Sequence, residues 1–254
     1  MADAGRLSGS TAIVTGASAG IGEAIARTFA REGAAVAIAS TNVVEAKRVG
    51  AEIEAAGGSA LVLQTDVTSS EDVDRMVKAV LDRWGTIDIL VNAVGGWRKL
   101  APVTEITDEE WDRVVTLNLR SAFLCTRAVA RIMVQKKKGR IINFGSQSGT
   151  GPNPDTDSNL PYAASKAALI VLTKHLAKQL GPHGITVNTI SPGTTLTPRV
   201  RNVWDAATAR RKAERNPLRS LVEPQDSAEA ALFLVLDESR FITGVNLNVN
   251  AGSA

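Results

Sequence analysis

The stretch "TAIVTGASAGIG", Thr11 to Gly22, decides how the rest of the chain reads. A short apolar run without polar alternation breaks at Gly16, and Gly20 and Gly22 lead into a helical pattern from Ile21 to Arg31. Glycine at these positions lets the backbone turn tightly and approach a bound phosphate. The helix that follows offers free N–H donors and a favourable dipole. The spacing departs from the G-x-G-x-x-G dinucleotide fingerprint, and a plain structural turn is the competing reading.

Working outward, the same alternation recurs. The runs "AAVAIAS", "ALVLQTD", "IDILVNAVG", "GRIINFGS", "ITVNTISPG" and "GVNLNVN" follow, separated by helical stretches such as Val43 to Ala55. "TDEE" from Thr107 reads as a capping box ahead of an apolar periodicity that starts at Trp111. Apolar runs of this kind suit strands buried on both faces of a sheet. The expectation is therefore α/β: a doubly wound parallel sheet of about seven strands with helices on both faces, in one domain over residues 1–254. Such sheets bind ligands beyond the carboxyl ends of their strands. Ends of interest are Asp66 and Val67 in "TDV", and Asn92, Ala93 and Gly95 in "NAVG"; a helix cap is the competing reading of Asp66.

Composition sets the class. A 44% hydrophobic content in 254 residues is ample for a core, and a net charge of +3 on a well-mixed surface argues against a nucleic-acid partner. No segment reads as a signal peptide or a membrane span, and the single cysteine, Cys125, sits in an apolar setting, so a cytoplasmic protein is expected. No cluster has metal-ligand spacing, and His175 and His183 read as uninvolved.

The only tyrosine of the chain, Tyr162 in "LPYAASKAAL", precedes Lys166 by one helical turn. A half-buried anchor beside a solvated lysine is the plain reading. The chemical reading is a proton donor: bringing a phenol from a pKa of about 10 to neutrality takes about 4 kcal/mol. A solvated lysine cannot supply that, whereas a desolvated one assisted by the positive charge of an oxidised nicotinamide can. Ser146 in "INFGSQSG", with Ser148 beyond it, offers the second hydrogen bond a developing alkoxide needs; a turn serine is the alternative.

Together these motifs resemble the short-chain dehydrogenase/reductases, in their compact single-domain, 3-oxoacyl-[acyl-carrier-protein] reductase-like branch. "TGASAGIG", "NAVG", "LNL" around Asn118, "FGS", "YAASK" and "SPG" at Ser191 to Gly193 occur in that family's order over nearly the whole chain. The resemblance implies a Rossmann-like fold and a hydride transfer between nicotinamide and a ketone or secondary alcohol. It makes Tyr162 the acid or base, with Lys166 lowering its pKa and holding the ribose, Ser146 orienting the carbonyl, and Asn118 holding a water for proton return. It places Gly16, Ser18, Ala19, Gly20, Ile21 and Gly22, then Asp66, Val67, Asn92, Ala93 and Gly95, and finally Pro192, Gly193 and Thr195 at the cofactor. It also implies a homotetramer. A catalytically dead dinucleotide sensor would show damage to Asn118, Ser146, Tyr162 or Lys166, and all are present.

Where NAD-preferring sequences end the second strand in an acid, this chain has Ser40, followed by Thr41 and Asn42. Without the acid a 2′-phosphate is not repelled, so NADP(H) is favoured over NAD(H), and reduction over oxidation. The alternative is an NAD-dependent alcohol dehydrogenase of the same mechanism. Trp84 and Trp111 read as core anchors, whereas Trp97 and Trp204 fall on loops that border the pocket. Residues 194–219 read as a lid rich in Arg and Lys, from Arg199 to Arg219, that attracts an anionic substrate such as a carboxylate, phosphate or carrier thioester; a solvated helix face is the competing reading. The segment between Ser146 and Tyr162 reads as a loop over the substrate.

Overall fold

A computed structural model describes residues 5–151 and 159–253. The strands β1 (Thr11–Thr15), β2 (Ala35–Ser40), β3 (Ser59–Gln64), β4 (Ile89–Asn92), β5 (Gly139–Phe144), β6 (Ile185–Pro192) and β7 (Asn246–Val249) form one sheet in the order β3-β2-β1-β4-β5-β6-β7. Every pairing is parallel, with Val14 opposite Ile38 on one side and Val91 on the other. The helices are α1 (Gly20–Arg31), α2 (Val43–Ala55), α3 (Ser70–Trp84), α4 (Asp108–Val115), α5 (Ser121–Lys136), α6 (Leu160–Leu180), α7 (Pro198–Arg201), α8 (Ala206–Arg215) and α9 (Pro224–Val235).

Strand alternation sorts the core into two layers. Ala12, Val14, Val36, Ile38 and Val91 face α1, α2 and α9, packing with Ile25, Phe29 and Leu232. Ile13, Ala37, Leu90 and Ile141 face the other way, against Val80, Val129 and Met133 of α3 and α5. Successive side chains of a strand point to opposite faces, so a sheet covered on both sides needs unbroken apolar runs. Each fully buried Ile or Phe of these layers contributes about 1.5–3 kcal/mol. β3 and β7, at the sheet edges, are only partly buried.

Two details differ from the sequence reading. Thr107 does cap α4 by accepting from the Glu110 N–H, but the Glu110 carboxylate binds Arg113 instead of reaching back, so no capping box closes. Trp84 packs against the second core layer, whereas Trp111 is 41% exposed. The reason is helical phase: Trp111 lies a turn before Val115, and Val115 lines an outward apolar hollow with Leu119, Phe123, Val171 and Leu172.

Candidate active site

The strand order reverses between β1 and β4, and there a cleft of about 430 Å³ opens at the carboxyl ends of the strands. Gly16, Ala19, Gly20, Ile21 and Gly22 line it from the β1–α1 turn. Gly16 and Gly20 hold φ of 68° and 60°, which a side chain rarely tolerates. Ala19 caps α1 without a side-chain hydrogen bond, which leaves the first turn's N–H groups to an outside acceptor. A Cβ at Gly22 would stand 2.3 Å from the Gly16 carbonyl oxygen, so the turn packs backbone on backbone. This cradle fits the pyrophosphate of a dinucleotide.

The other predicted cofactor residues divide. Ser40, Thr41, Asp66, Val67, Ala93 and Gly95 line the cleft. The Ser40 and Ser18 hydroxyls are 2.9 Å apart, and Ser40 Oγ also accepts from the Asn42 N–H. The Asn42 side chain accepts from the Glu45 N–H, which commits that oxygen to capping α2. Asp66 accepts from the N–H and hydroxyl of Thr68 and so closes a turn, while Ser69 caps α3. Arg48 is engaged by Glu23, Glu45 and Glu52.

Asn92, Pro192, Gly193 and Thr195 are not brought to the cleft. Asn92 is buried and donates to Thr126 and Asn143. Asn143 in turn donates to Thr173, to which the Thr189 hydroxyl also donates. This polar chain ties β4, β5 and β6 to α5 and α6. Gly193 packs close to Asn250, and the buried Thr195 hydroxyl donates to the Gly193 carbonyl. The residue that does face the cleft is Thr197, joined by Pro198 and Arg199, together with Thr65, Val94 and Leu117.

Four residues gather the chemistry. Ser146 follows β5, where its Oγ accepts from the Ser148 N–H at 3.1 Å, and its hydroxyl is close enough to Tyr162 to pull the phenol's pKa down. Tyr162 enters α6 in its first turn, which Asn159 caps through the Tyr162 N–H. Lys166 is 3% exposed, donates to the Phe144 carbonyl at 2.6 Å, and holds its Nζ 5.5 Å from the Tyr162 ring centre. Asn118 sits in a π-turn over Thr116–Arg120 between α4 and α5. Its side chain accepts from the Gly96 N–H and donates to the carbonyls of Gly96 and Val114, clamping the loop after β4. Gly95 fits only because it lacks a side chain: a Cβ would meet Asn118 Oδ1 at 2.7 Å and Lys166 Nζ at 2.9 Å.

Burial pushes the Tyr162 phenol up, and the neighbouring Ser146 hydroxyl and the charge of Arg199 oppose that shift. Burial also lowers the Lys166 ammonium to about 8. Between that value and its unfolded value of 10.5, the unfolded chain carries a proton that the folded chain has lost, so stability rises with pH across this window. Denaturant unfolding of the wild type against Lys166→Met should therefore move in the wild type's favour by about 2 kcal/mol between about pH 7 and about pH 9.5. A difference independent of pH would mean that the lysine stays hydrated.

Of the tentative pocket residues, Trp97 is half-buried beside the cleft, and its carbonyl accepts from Arg199 at 2.9 Å. Ser148 braces Ser146 through its N–H. Trp204 is half-buried after α7 and does not line the cleft. The lid residues form α7 and α8, with Arg201 paired to Glu223 and Arg210 to Glu214. Most of the expected loop before Tyr162 lies outside the described residues. Among the described residues, no group of His, Cys, Asp or Glu could hold a metal ion, and no helix is long and apolar enough to cross a membrane.

Comparison with known proteins agrees with this geometry. Residues 16–254 match the family model described as enoyl-(acyl carrier protein) reductase. The chain is 38% identical to the (2S)-[(R)-hydroxy(phenyl)methyl]succinyl-CoA dehydrogenase subunit BbsD of Thauera aromatica, over 95% of each protein. It is 38% identical to the 3-oxoacyl-[acyl-carrier-protein] reductase of a Synechocystis strain, over 97% of each. A dehydrogenase/reductase structure from Sinorhizobium meliloti 1021 superposes with a TM-score of 0.89 at 39% identity, covering 97% of this chain and 96% of that one. A parallel sheet with a glycine cradle at its switch point, Ser146, Tyr162 and Lys166 beside it, and this degree of likeness to named reductases and dehydrogenases have one common reading: the chain belongs to the short-chain dehydrogenase/reductase family of oxidoreductases.

Proposed function

We propose that the protein is an NADPH-dependent ketone reductase whose acid is Tyr162. The observation that carries this is the buried Lys166 ammonium 5.5 Å from the Tyr162 ring centre, with Ser146 close enough to lower the phenol's pKa, beside a cleft shaped for a dinucleotide. NADPH bound there supplies the hydride. Ser146 donates a hydrogen bond to the substrate's carbonyl oxygen, and Tyr162 protonates that oxygen as it gains charge. Lys166, fixed by the Phe144 carbonyl, holds the cofactor ribose and stands behind the phenol as it loses its proton. Asn118 locks Gly95 and Gly96 against Lys166, and its kinked backbone is where a water would pass a proton back from solvent.

Cofactor preference rests on the end of β2. Ser40 and Ser18 present paired hydroxyls where an acid would repel a 2′-phosphate, with Thr41 beside them. Ser40→Asp is expected to weaken NADPH binding by about tenfold or more, because like charges set against each other cost several kcal/mol, and to spare NADH. Fluorescence titration with both cofactors reads this. Tighter NADH binding by the unmodified protein would reverse the preference and make an alcohol dehydrogenase the better reading.

The substrate we propose is a small ketone or a β-ketoacyl thioester; both protein relatives named above carry thioesters in their names. Residues 1–254 act as one unit, with 194–219 as the cover of the substrate side. The exposed apolar strip of Trp111, Phe123 and Val171 supports assembly into a homotetramer, which sedimentation velocity checks. The buried free thiol of Cys125, held at about 12, fits a reducing cytoplasm.

A further inference from the structure

We propose that Arg199 is a specificity-determining residue, which binds a carboxylate carried by the substrate one or two carbons from the reacting carbonyl. The inference rests on the reductase reading above and names the chemical class of its substrate.

Four observations converge on this residue. Arg199 lines the cleft beside Thr197 and Pro198. Its Nη2 donates to the Trp97 carbonyl at 2.9 Å, which fixes the guanidinium across the gap between α7 and the loop after β4. Nη1 lies against that loop, 3.5 Å from where a Cβ of Gly96 would stand. Finally, no carboxylate pairs with Arg199 among the described residues, whereas its neighbours Arg201 and Arg210 are each matched by a glutamate. A guanidinium has five N–H donors in a planar fork, and one contact with a carbonyl leaves most of them free.

Placement decides what those donors bind. Arg199 Nη1 stands against Gly96 while Lys166 Nζ stands against the adjacent Gly95 and 5.5 Å from the Tyr162 ring centre, so an anion held by Arg199 lies on the side of the cleft that carries the proton donor, in keeping with the effect of its charge on the phenol. A phosphate at the far end of a long carrier arm would not sit there, whereas the carboxylate of a short keto acid would. Binding has a second consequence. Arg199 alone favours the phenolate; a carboxylate paired with it cancels that influence, so Tyr162 keeps the proton it must give to the ketone. The basic character read over residues 199–219 thus narrows to one residue for substrate contact.

The test uses the full-length enzyme and two probes of the same skeleton, acetoacetate and methyl acetoacetate. Each is reduced by hydride from NADPH and a proton from Tyr162 to the matching secondary alcohol. The wild type should favour the acid in kcat/KM by about tenfold or more. Arg199→Ala should erase that ratio through the acid's kcat/KM, and Arg199→Lys should recover part of it. Arg199→Ala should also move the pH optimum for the ester upward when the reaction runs towards oxidation, because the phenol then loses its nearby positive charge. An unchanged acid-to-ester ratio in Arg199→Ala overturns the proposal, as does a loss confined to NADPH affinity, which would make Arg199 a cofactor clamp. If neither ketone is reduced, acetoacetyl-CoA tests the reductase reading separately, and no turnover with it either refutes that reading. Calorimetry of butyrate against butyramide on the NADPH-bound protein still decides the anchor: butyrate binding lost in Arg199→Ala upholds it, and equal binding of the two compounds refutes it.

Discussion

Replacing Tyr162 by phenylalanine is expected to lower turnover by about 10³-fold, the range of a lost general acid, while NADPH affinity stays within about twofold. The change deletes one hydroxyl and keeps the ring, which is half-buried at the start of α6 under the Asn159 cap. Ser146 retains its hydrogen bond from the Ser148 N–H, so the oxyanion side of the site survives without its proton donor. The pH dependence separates proton transfer from general damage. Oxidation requires the phenolate and rises with pH; reduction requires the phenol and falls above the same pKa. Residual activity in Tyr162→Phe should lack both limbs. Turnover within about tenfold of the wild type would remove Tyr162 from the reaction and shift attention to a solvent proton.

Why this tyrosine was legible while Arg199 was not is a matter of distance along the chain. The α6 spacing of Tyr162 and Lys166, the apolar runs of the strands and the glycines after β1 are local patterns, and local patterns survive in a bare sequence. The seven-stranded order, with α/β layers on both faces, follows from those runs and parallel connectivity. Arg199 meets Trp97 across 102 residues of sequence, and no periodicity announces such a contact. The carbonyl of Phe144 that fixes the Lys166 ammonium lies 22 residues away, and only the fold shows that burial lowers the lysine's pKa. The loop after β6 gives the same lesson at shorter range. Thr195 and Thr197 are equivalent in composition, but the bridge between Thr195 and Val222 turns the first inward and leaves the second at the cleft. Trp111 was misplaced for a related reason: an apolar residue at helical spacing marks a buried face without saying whether this chain or another buries it.

Gly22→Ala is expected to lower NADPH affinity by about 10²-fold, as misplacement of a binding element by about 1 Å can do, and to destabilise the protein by about 1–3 kcal/mol through overpacking. The added methyl would lie 2.3 Å from the Gly16 carbonyl oxygen and 2.8 Å from its carbonyl carbon. Both are backbone atoms, so no side chain can rotate out of the way. Relief has to come from α1 sliding off the turn or from the turn itself opening. The first disturbs the packing of Ile25 and Phe29 in the core layer shared with α9. The second moves Gly16, whose N–H donates to the Ala39 carbonyl at the end of β2. Either route displaces the uncapped N–H groups at the start of α1 from the place where a pyrophosphate would sit. Gly181→Ala is the control: nothing lies within 4 Å of its added methyl, and its φ of −53° suits any residue. Equal loss in both variants would mean a general intolerance of glycine replacement. Loss in Gly22→Ala alone, read as weaker NADPH binding with the fold retained at low temperature, would assign the effect to the cradle. Retention of full affinity in Gly22→Ala would show that the cofactor does not depend on the close approach of Gly16 and Gly22.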